Sequence, residues 1–257
     1  MKSGLKIKFY LFLVILLYGV FVSIDLTNYL LYQQAVKISM MLKFATTISA
    51  FFFVWFIKNK PFSRDDHNRL KVSFILLLLN DIFLVLLPFF FNEPVLFITG
   101  LFCVIISHIF LIIRNGYYWR FLLPEKGHYS IKIPFLVTGL AVYLITSLLF
   151  LKFWKPMTEI GIFIPFSIYC FFLAASVWIG ISCLFLKNYI PLINRIFISA
   201  AMILFYFCDL FIGLELITPV PFQYLFKSFI WIVYSPTLVF LSLSSIDFSK
   251  TGMGPHQ

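Results

Sequence analysis

Charge is scarce in this sequence. Aspartate, glutamate, lysine and arginine make up 12% of its 257 residues, about half the share of an ordinary soluble domain. Hydrophobic residues make up 62%, and the mean hydropathy is +1.01. A soluble chain of that make-up could not cover its surface with polar groups, so lipid is the solvent for most of it. Histidine is scarcer still, and His108 is the only one inside an apolar run. That excludes a multi-histidine zinc hydrolase, which needs about three protein ligands. Cys103, Cys170, Cys183 and Cys208 all fall within apolar runs, and no two form a Cys-x-x-Cys pair, which argues against a disulfide framework or a cysteine zinc site. A glycine-rich phosphate loop is missing. So is the Gly-x-Gly-Asp loop of an intramembrane aspartyl protease, where this chain has Leu79-Asn80-Asp81 and Phe207-Cys208-Asp209 instead. No metal or cofactor is expected.

What the sequence does have is apolar runs of bilayer length. About 20 apolar residues cross the hydrocarbon core, and by that rule helices are expected near 9–27, 36–57, 72–91, 95–113, 133–151, 159–186, 196–217 and 224–245. The expected fold is an all-α membrane bundle of about eight transmembrane helices, forming one domain over residues 1–257. The first run follows Lys2, Lys6 and Lys8 like a signal peptide, but it is longer than a usual apolar core and lacks a small-x-small cleavage site. It reads as a retained helix. Breakers separate later runs at Asn92-Glu93-Pro94, Lys155-Pro156 and Thr218-Pro219-Val220-Pro221.

The net charge of +10 serves topology, since the basic residues sit between apolar runs with no basic patch interleaved with exposed aromatics. Nucleic acid is not an expected partner. With eight spans, fifteen Lys and Arg fall on one side and four on the other, with Lys43 inside a span. That bias places both termini, the 58–71 loop and the 114–132 loop in the cytoplasm, and in a bacterium the membrane would be the inner one.

Against this background, ionisable residues at mid-depth are the informative ones. An aspartate at a helix centre costs about 2.5–3.5 kcal/mol even on the mild insertion scale. Asp81 is about ten residues into the third expected span and Asp209 about fourteen into the seventh, which puts both carboxyls roughly 15–21 Å from the same edge. They can share one level of the bundle. Ser73 and Asn80 lie seven apart beside Asp81, and Ser199, Tyr206, Asp209 and Gly213 follow one helical stripe. Such a stripe suits a functional face or plain helix contact. Lys43 is deep enough to need Asp81, Asp209 or a lipid phosphate as a partner, or else to snorkel. His108, beside Ser107, is expected to hydrogen-bond across helices, or to serve as a ligand or catalyst. Asp25 and Glu215, near the outer edge, are expected to be solvated.

Three segments resemble the YhhN-like family, the bacterial relatives of animal lysoplasmalogenases. They are Leu77-Leu78-Leu79-Asn80-Asp81-Ile82-Phe83-Leu84, then Gly100-Leu101-Phe102 followed by Ser107-His108-Ile109, and Leu204-Phe205-Tyr206-Phe207-Cys208-Asp209. Their order and spacing agree with the family's, as do eight spans, and Lys37-Ile38 stands where the family opens its second helix with Lys-Pro. The chain departs from the pattern with Asn80 for Gly, Cys208 for Ser and Ile38 for Pro, and Tyr234-Ser235-Pro236 falls near the last-helix polar site. The resemblance implies hydrolysis of the vinyl ether bond of lysoplasmalogens, with Asp81 and Asp209 as the acid and base. One of these carboxyls would be protonated and the other ionised. It further implies a lysophospholipid substrate among membrane lipids, with Lys37, Lys43, Asn80, His108 and Tyr206 around it and the phosphate toward Lys43 or Lys37.

Two rival readings use the same acids. A proton-coupled carrier would exchange ions on them and favour inverted repeats and broken helices. No repeat is visible, although Pro88, Pro165 and Pro236 lie in or near spans. A non-catalytic sensor or scaffold would use the acids in packing alone. Oligomeric state is not legible in the sequence.

Overall fold

The structure, a computed structural model, describes residues 3–31, 36–56, 64–91, 94–117, 119, 129–159, 161–187, 189–218, 222–246 and 248. Within these residues the fold is all-helical. The eight helices are α1 (Ser3–Leu31), α2 (Val36–Phe56), α3 (Arg64–Asp81), α4 (Pro94–Asn115), α5 (Tyr129–Glu159), α6 (Phe163–Ser182), α7 (Leu192–Ile217) and α8 (Phe222–Leu243). Seven of them are long and apolar enough on their own to cross a membrane. The exception, α3, begins with the polar run Arg64-Asp65-Asp66-His67-Asn68-Arg69, eight residues before the apolar stretch expected from sequence. It reaches bilayer length only by continuing as a π turn over Ile82–Leu86 and a 3₁₀ turn over Leu87–Phe89.

Proline accounts for that change of winding. Pro88 has no N–H to give Leu84, and in an α-helix its ring would collide with that carbonyl. In the wider turn the Leu87 N–H instead reaches back to the Ile82 carbonyl. The neighbouring helix makes room for it. A Cβ on Gly100 of α4 would lie 2.6 Å from Leu84 Cγ, so only glycine lets the π turn sit this close. A second edge also differs from the sequence expectation. Lys155-Pro156 does not separate two spans, because both residues lie inside α5. The chain turns at Gly161, whose φ of +74° favours glycine, and α6 begins at Phe163 rather than 159.

The packing order makes a ring. α1 packs on α2, α2 on α3, α3 on α4, α4 on α6, α6 on α7, α7 on α8, and α8 returns to α1, while α2 also touches α8. α5 stands outside the ring, mainly against α6. Its outward face carries exposed Leu136, Leu140, Leu144, Leu148 and Leu151.

Polarity is distributed as lipid demands. Large apolar side chains such as Phe9, Phe12, Phe52, Phe102 and Phe207 face outward, while Thr47, Asp81, Ser107, His108, Ser176, Ser199 and Thr237 are buried. Hydroxyl groups tie the helices together there. Ser107 of α4 donates to the Ser73 carbonyl of α3 at 3.2 Å, and the Ser73 hydroxyl, 3.1 Å from the Arg69 carbonyl of its own helix, lies 3.4 Å from the Ser107 carbonyl. At one end of the bundle, buried Arg114 pairs with Asp66 at 3.0 Å and donates to Ser244, while Asn194 donates to the Ser244 and Ile246 carbonyls. The segment after α8 is thereby tied to α3, α4 and α7.

Candidate active site

Asp81 is the last residue of α3, at the point where the helix widens, and it is 3% exposed. Three helices supply its partners. The Thr47 hydroxyl of α2 donates to Oδ2 at 2.6 Å, Asn80 Nδ2 to Oδ1 at 3.1 Å, and the Tyr234 hydroxyl of α8 lies 3.3 and 3.2 Å from the two oxygens. All three are donors, which matches a carboxylate's acceptor-only capacity.

Asp209 sits two-thirds of the way along α7. The Tyr169 hydroxyl of α6 is directed at its carboxyl, while its Oδ2 is closed off from solvent and has no hydrogen-bond partner among the described residues. The two acids share one interior. Tyr234 and Cys208 each lie within electrostatic range of both carboxyls, and Tyr234 stacks edge-on against Phe205 of α7.

His108 is fully buried. Its Nδ1 is 2.8 Å from the Ser176 hydroxyl, which lies 3.0 Å from the Leu173 carbonyl. A serine has one proton, and giving it to the carbonyl leaves Ser176 to accept from Nδ1–H. Nε2 is then a bare acceptor, and it has no partner among the described residues. The ring packs 4.7 Å from Phe205 and 5.9 Å from Tyr169, so His108 stands behind the tyrosine that faces Asp209. Asn80 Oδ1 is also buried without a partner. Leaving such an atom unmade costs about 1–3 kcal/mol. Several beside one carboxyl pair suit a place for water or a polar part of a ligand.

Other sequence-derived site residues fall elsewhere. Lys43 pairs with neither Asp81 nor Asp209. Its Nζ lies 2.5 Å from Asp25 of α1, which also accepts from Ser39. This corrects the expectation that Asp25 is solvated, and Lys43, 3% exposed, is not open to a lipid phosphate. Glu215 is likewise engaged, 3.4 Å from Lys227. Tyr206 turns away from the acids toward Thr146 of α5, at 3.0 Å. Its stripe is largely a packing seam, with Ser199 donating to the Gly180 carbonyl and Gly213 against Phe153. Lys37 is the second residue of α2, and its side chain lies outside the described residues.

Two residues of the site, Thr47 and Tyr169, are missing from the sequence-derived set, and Tyr234 entered it only through Tyr234-Ser235-Pro236 near the last-helix polar position. A signal for the first existed. Lys43, Thr46 and Thr47 stand at i, i+3 and i+4 in an otherwise apolar run, which is one helical face.

Fold and site together define a multi-pass helical membrane protein with two carboxyls in its interior. The model of the YhhN family matches residues 38–244, and the chain belongs to that family. The matched stretch runs from α2 into the turn after α8 and holds Asp81, His108, Asp209 and Tyr234. No curated protein and no solved structure matches the chain.

Proposed function

We propose that the protein is an intramembrane hydrolase that cleaves the vinyl ether bond of lysoplasmalogen-type lysophospholipids. The observation that carries this reading is the unlike pair of buried carboxyls in one interior. Asp81 accepts from Thr47, Asn80 and Tyr234, whereas Asp209 keeps one oxygen without a partner. Chemistry that needs one ionised and one protonated carboxyl is served by such a difference of surroundings. Family membership agrees with it.

In this mechanism Asp209 gives its proton to the β-carbon of the vinyl ether, and the carbon–carbon double bond supplies the electron pair. The oxocarbenium ion so formed sits against ionised Asp81. Water adds to its α-carbon and passes a proton to Asp81. The resulting hemiacetal collapses to a fatty aldehyde and a glycerophospho-alcohol: the carbon–oxygen bond to glycerol breaks, protonated Asp81 gives its proton to the departing glycerol oxygen, and the hemiacetal hydroxyl gives its proton to Asp209, which restores both carboxyls. One water is consumed. The aldehyde chain lies among the apolar helix faces.

The test is aldehyde release by purified protein from a lysoplasmalogen, with the saturated alkyl-ether lysolipid as control. Aldehyde from the first and none from the second is expected. The interrupted helix beside Asp81 also suits a proton-coupled carrier, and a protein that releases no aldehyde but moves protons across a vesicle membrane would replace the hydrolase reading with that one.

A further inference from the structure

Asn80 and Asp81 are neighbours in sequence, and adjacent side chains on a helix do not face each other. Asn80 Nδ2 nevertheless donates to Asp81 Oδ1 at 3.1 Å, so the amide is turned from its own direction toward the carboxyl. The reverse orientation would set the amide oxygen against a carboxylate oxygen, acceptor against acceptor. The same turn fixes the far end of the amide. Asn80 Oδ1 is closed off from solvent and has no hydrogen-bond partner among the described residues.

Asp81 has a place left for one more donor. A carboxylate offers about four lone-pair sites. Thr47 fills one on Oδ2, Asn80 fills one on Oδ1, and the single Tyr234 hydroxyl is shared between the two oxygens. Two acceptors short of donors therefore stand side by side. The nitrogen and oxygen of an amide are about 2.3 Å apart, which puts Asn80 Oδ1 within about 5.4 Å of Asp81 Oδ1. One water spans that gap with two hydrogen bonds of about 2.8 Å. Water is a small donor of two protons, and a hydrolase needs one held within reach of its base.

We infer that Asn80 positions the attacking water, its Oδ1 holding one hydrogen while Asp81 accepts the other. The water oxygen forms its bond to the α-carbon of the oxocarbenium ion. One proton passes to Asp81, and the second stays on oxygen as the hemiacetal hydroxyl against Asn80 Oδ1. Where the family pattern has glycine this chain has Asn80, so this hold on water is a property of the present sequence. It also makes the site selective for its nucleophile. Methanol has one proton for Asp81 and a methyl group in place of the second, which would leave Oδ1 buried against carbon without a donor. The inference rests on the hydrolase reading, since the held water matters only where an oxocarbenium ion forms.

The experiment reads product partition and not rate. Purified protein turns over a lysoplasmalogen in a fixed water–methanol mixture, and fatty aldehyde is compared with methyl acetal. Capture by methanol forms the oxygen–carbon bond, gives the methanol proton to Asp81 and leaves the glycerol oxygen attached, so the acetal is released whole. Acid hydrolysis of the same lipid in the same mixture, read at early times, supplies the ratio for an ion free in solution. The wild type is expected to give about tenfold less acetal than that reference, equivalent to about 1.4 kcal/mol in one hydrogen bond. Asn80→Gly and Asn80→Leu should both raise the acetal share about tenfold, to the reference ratio. Leucine is close to asparagine in size but carries no acceptor, so it separates hydrogen bonding from space. Only protein that turns over contributes product, so a loss of folded material does not alter the ratio. A wild-type ratio equal to the reference overturns the inference, as does a ratio unchanged in the two variants. Acetal rising in Asn80→Gly but not in Asn80→Leu also overturns it, and leaves Asn80 a residue that only fills space. In each of those cases vinyl ether is still cleaved and the hydrolase reading stands. A wild type that consumes no vinyl ether removes both.

Discussion

The Tyr234 hydroxyl lies 3.2 Å from one oxygen of Asp81 and 3.3 Å from the other, joining the last helix to the third across 153 residues of sequence. The same side chain is within electrostatic range of Asp209, so α8 carries a phenol that addresses both acids. Replacing Tyr234 with Phe removes this hydroxyl while keeping the ring contacts with Phe205 and Trp231. A hydrogen bond to a charged group is worth about 1.5–3 kcal/mol. Aldehyde release should therefore fall by about tenfold to a hundredfold with little change in melting temperature. Unchanged turnover in Tyr234→Phe would separate the tyrosine from the chemistry.

The acids themselves should matter more. Asp81→Asn and Asp209→Asn keep size but cannot exchange the proton, and general acid–base catalysis contributes about 10²–10⁴-fold per group. Each variant should lose at least that much aldehyde release while folding normally. The double variant should be little worse than either single one, because groups acting as a unit are non-additive. His108→Ala, which removes a residue one layer behind Tyr169, should lose less. An Asn variant with wild-type turnover would sink the two-carboxyl mechanism.

A different outcome is expected one turn away at Lys43. Breaking a buried ion pair strands a charge and costs about 3–5 kcal/mol. Lys43→Met and Asp25→Asn should each lower the melting temperature in detergent markedly. The double variant Lys43→Met with Asp25→Leu should recover most of the loss, since an apolar replacement of both partners is often neutral. Additive losses would mean that the two residues act separately.

Topology can be checked without any substrate. Reporters fused at the C-terminus and inserted near residue 60 should both read as cytoplasmic, following the excess of Lys and Arg on that side. An external signal from either position breaks the eight-span arrangement.

How far the sequence could be read depended on what lipid penalises. Eight apolar runs announce eight helices because a bilayer enforces their length, and Asp81 and Asp209 stand out because a mid-span acid is costly. Helix edges escape that logic. The turns from Arg64 to Lys71 are polar yet helical, and α5 runs on through Pro156 although that residue has no N–H to give the Lys152 carbonyl. Tyr169 is hard to single out, since hydroxyl side chains are ordinary in membrane helices. The Lys43–Asp25 pair depends on how α1 lies against α2, which no spacing within one helix encodes.

The π turn after Asp81 has a consequence for comparing relatives. It holds one residue more than an α-helical turn, a surplus that Pro88 maintains. Up to Asp81 the side chains keep the phase of α3, and beyond Leu86 they are rotated out of it. A relative without a proline at the position of Pro88 can therefore drop a single residue between Ile82 and Leu86, close the helix in α winding, and leave the aspartate where it is. In an alignment of such chains a one-residue gap at this place marks a change of winding, with the acidic position conserved in space on both sides of it.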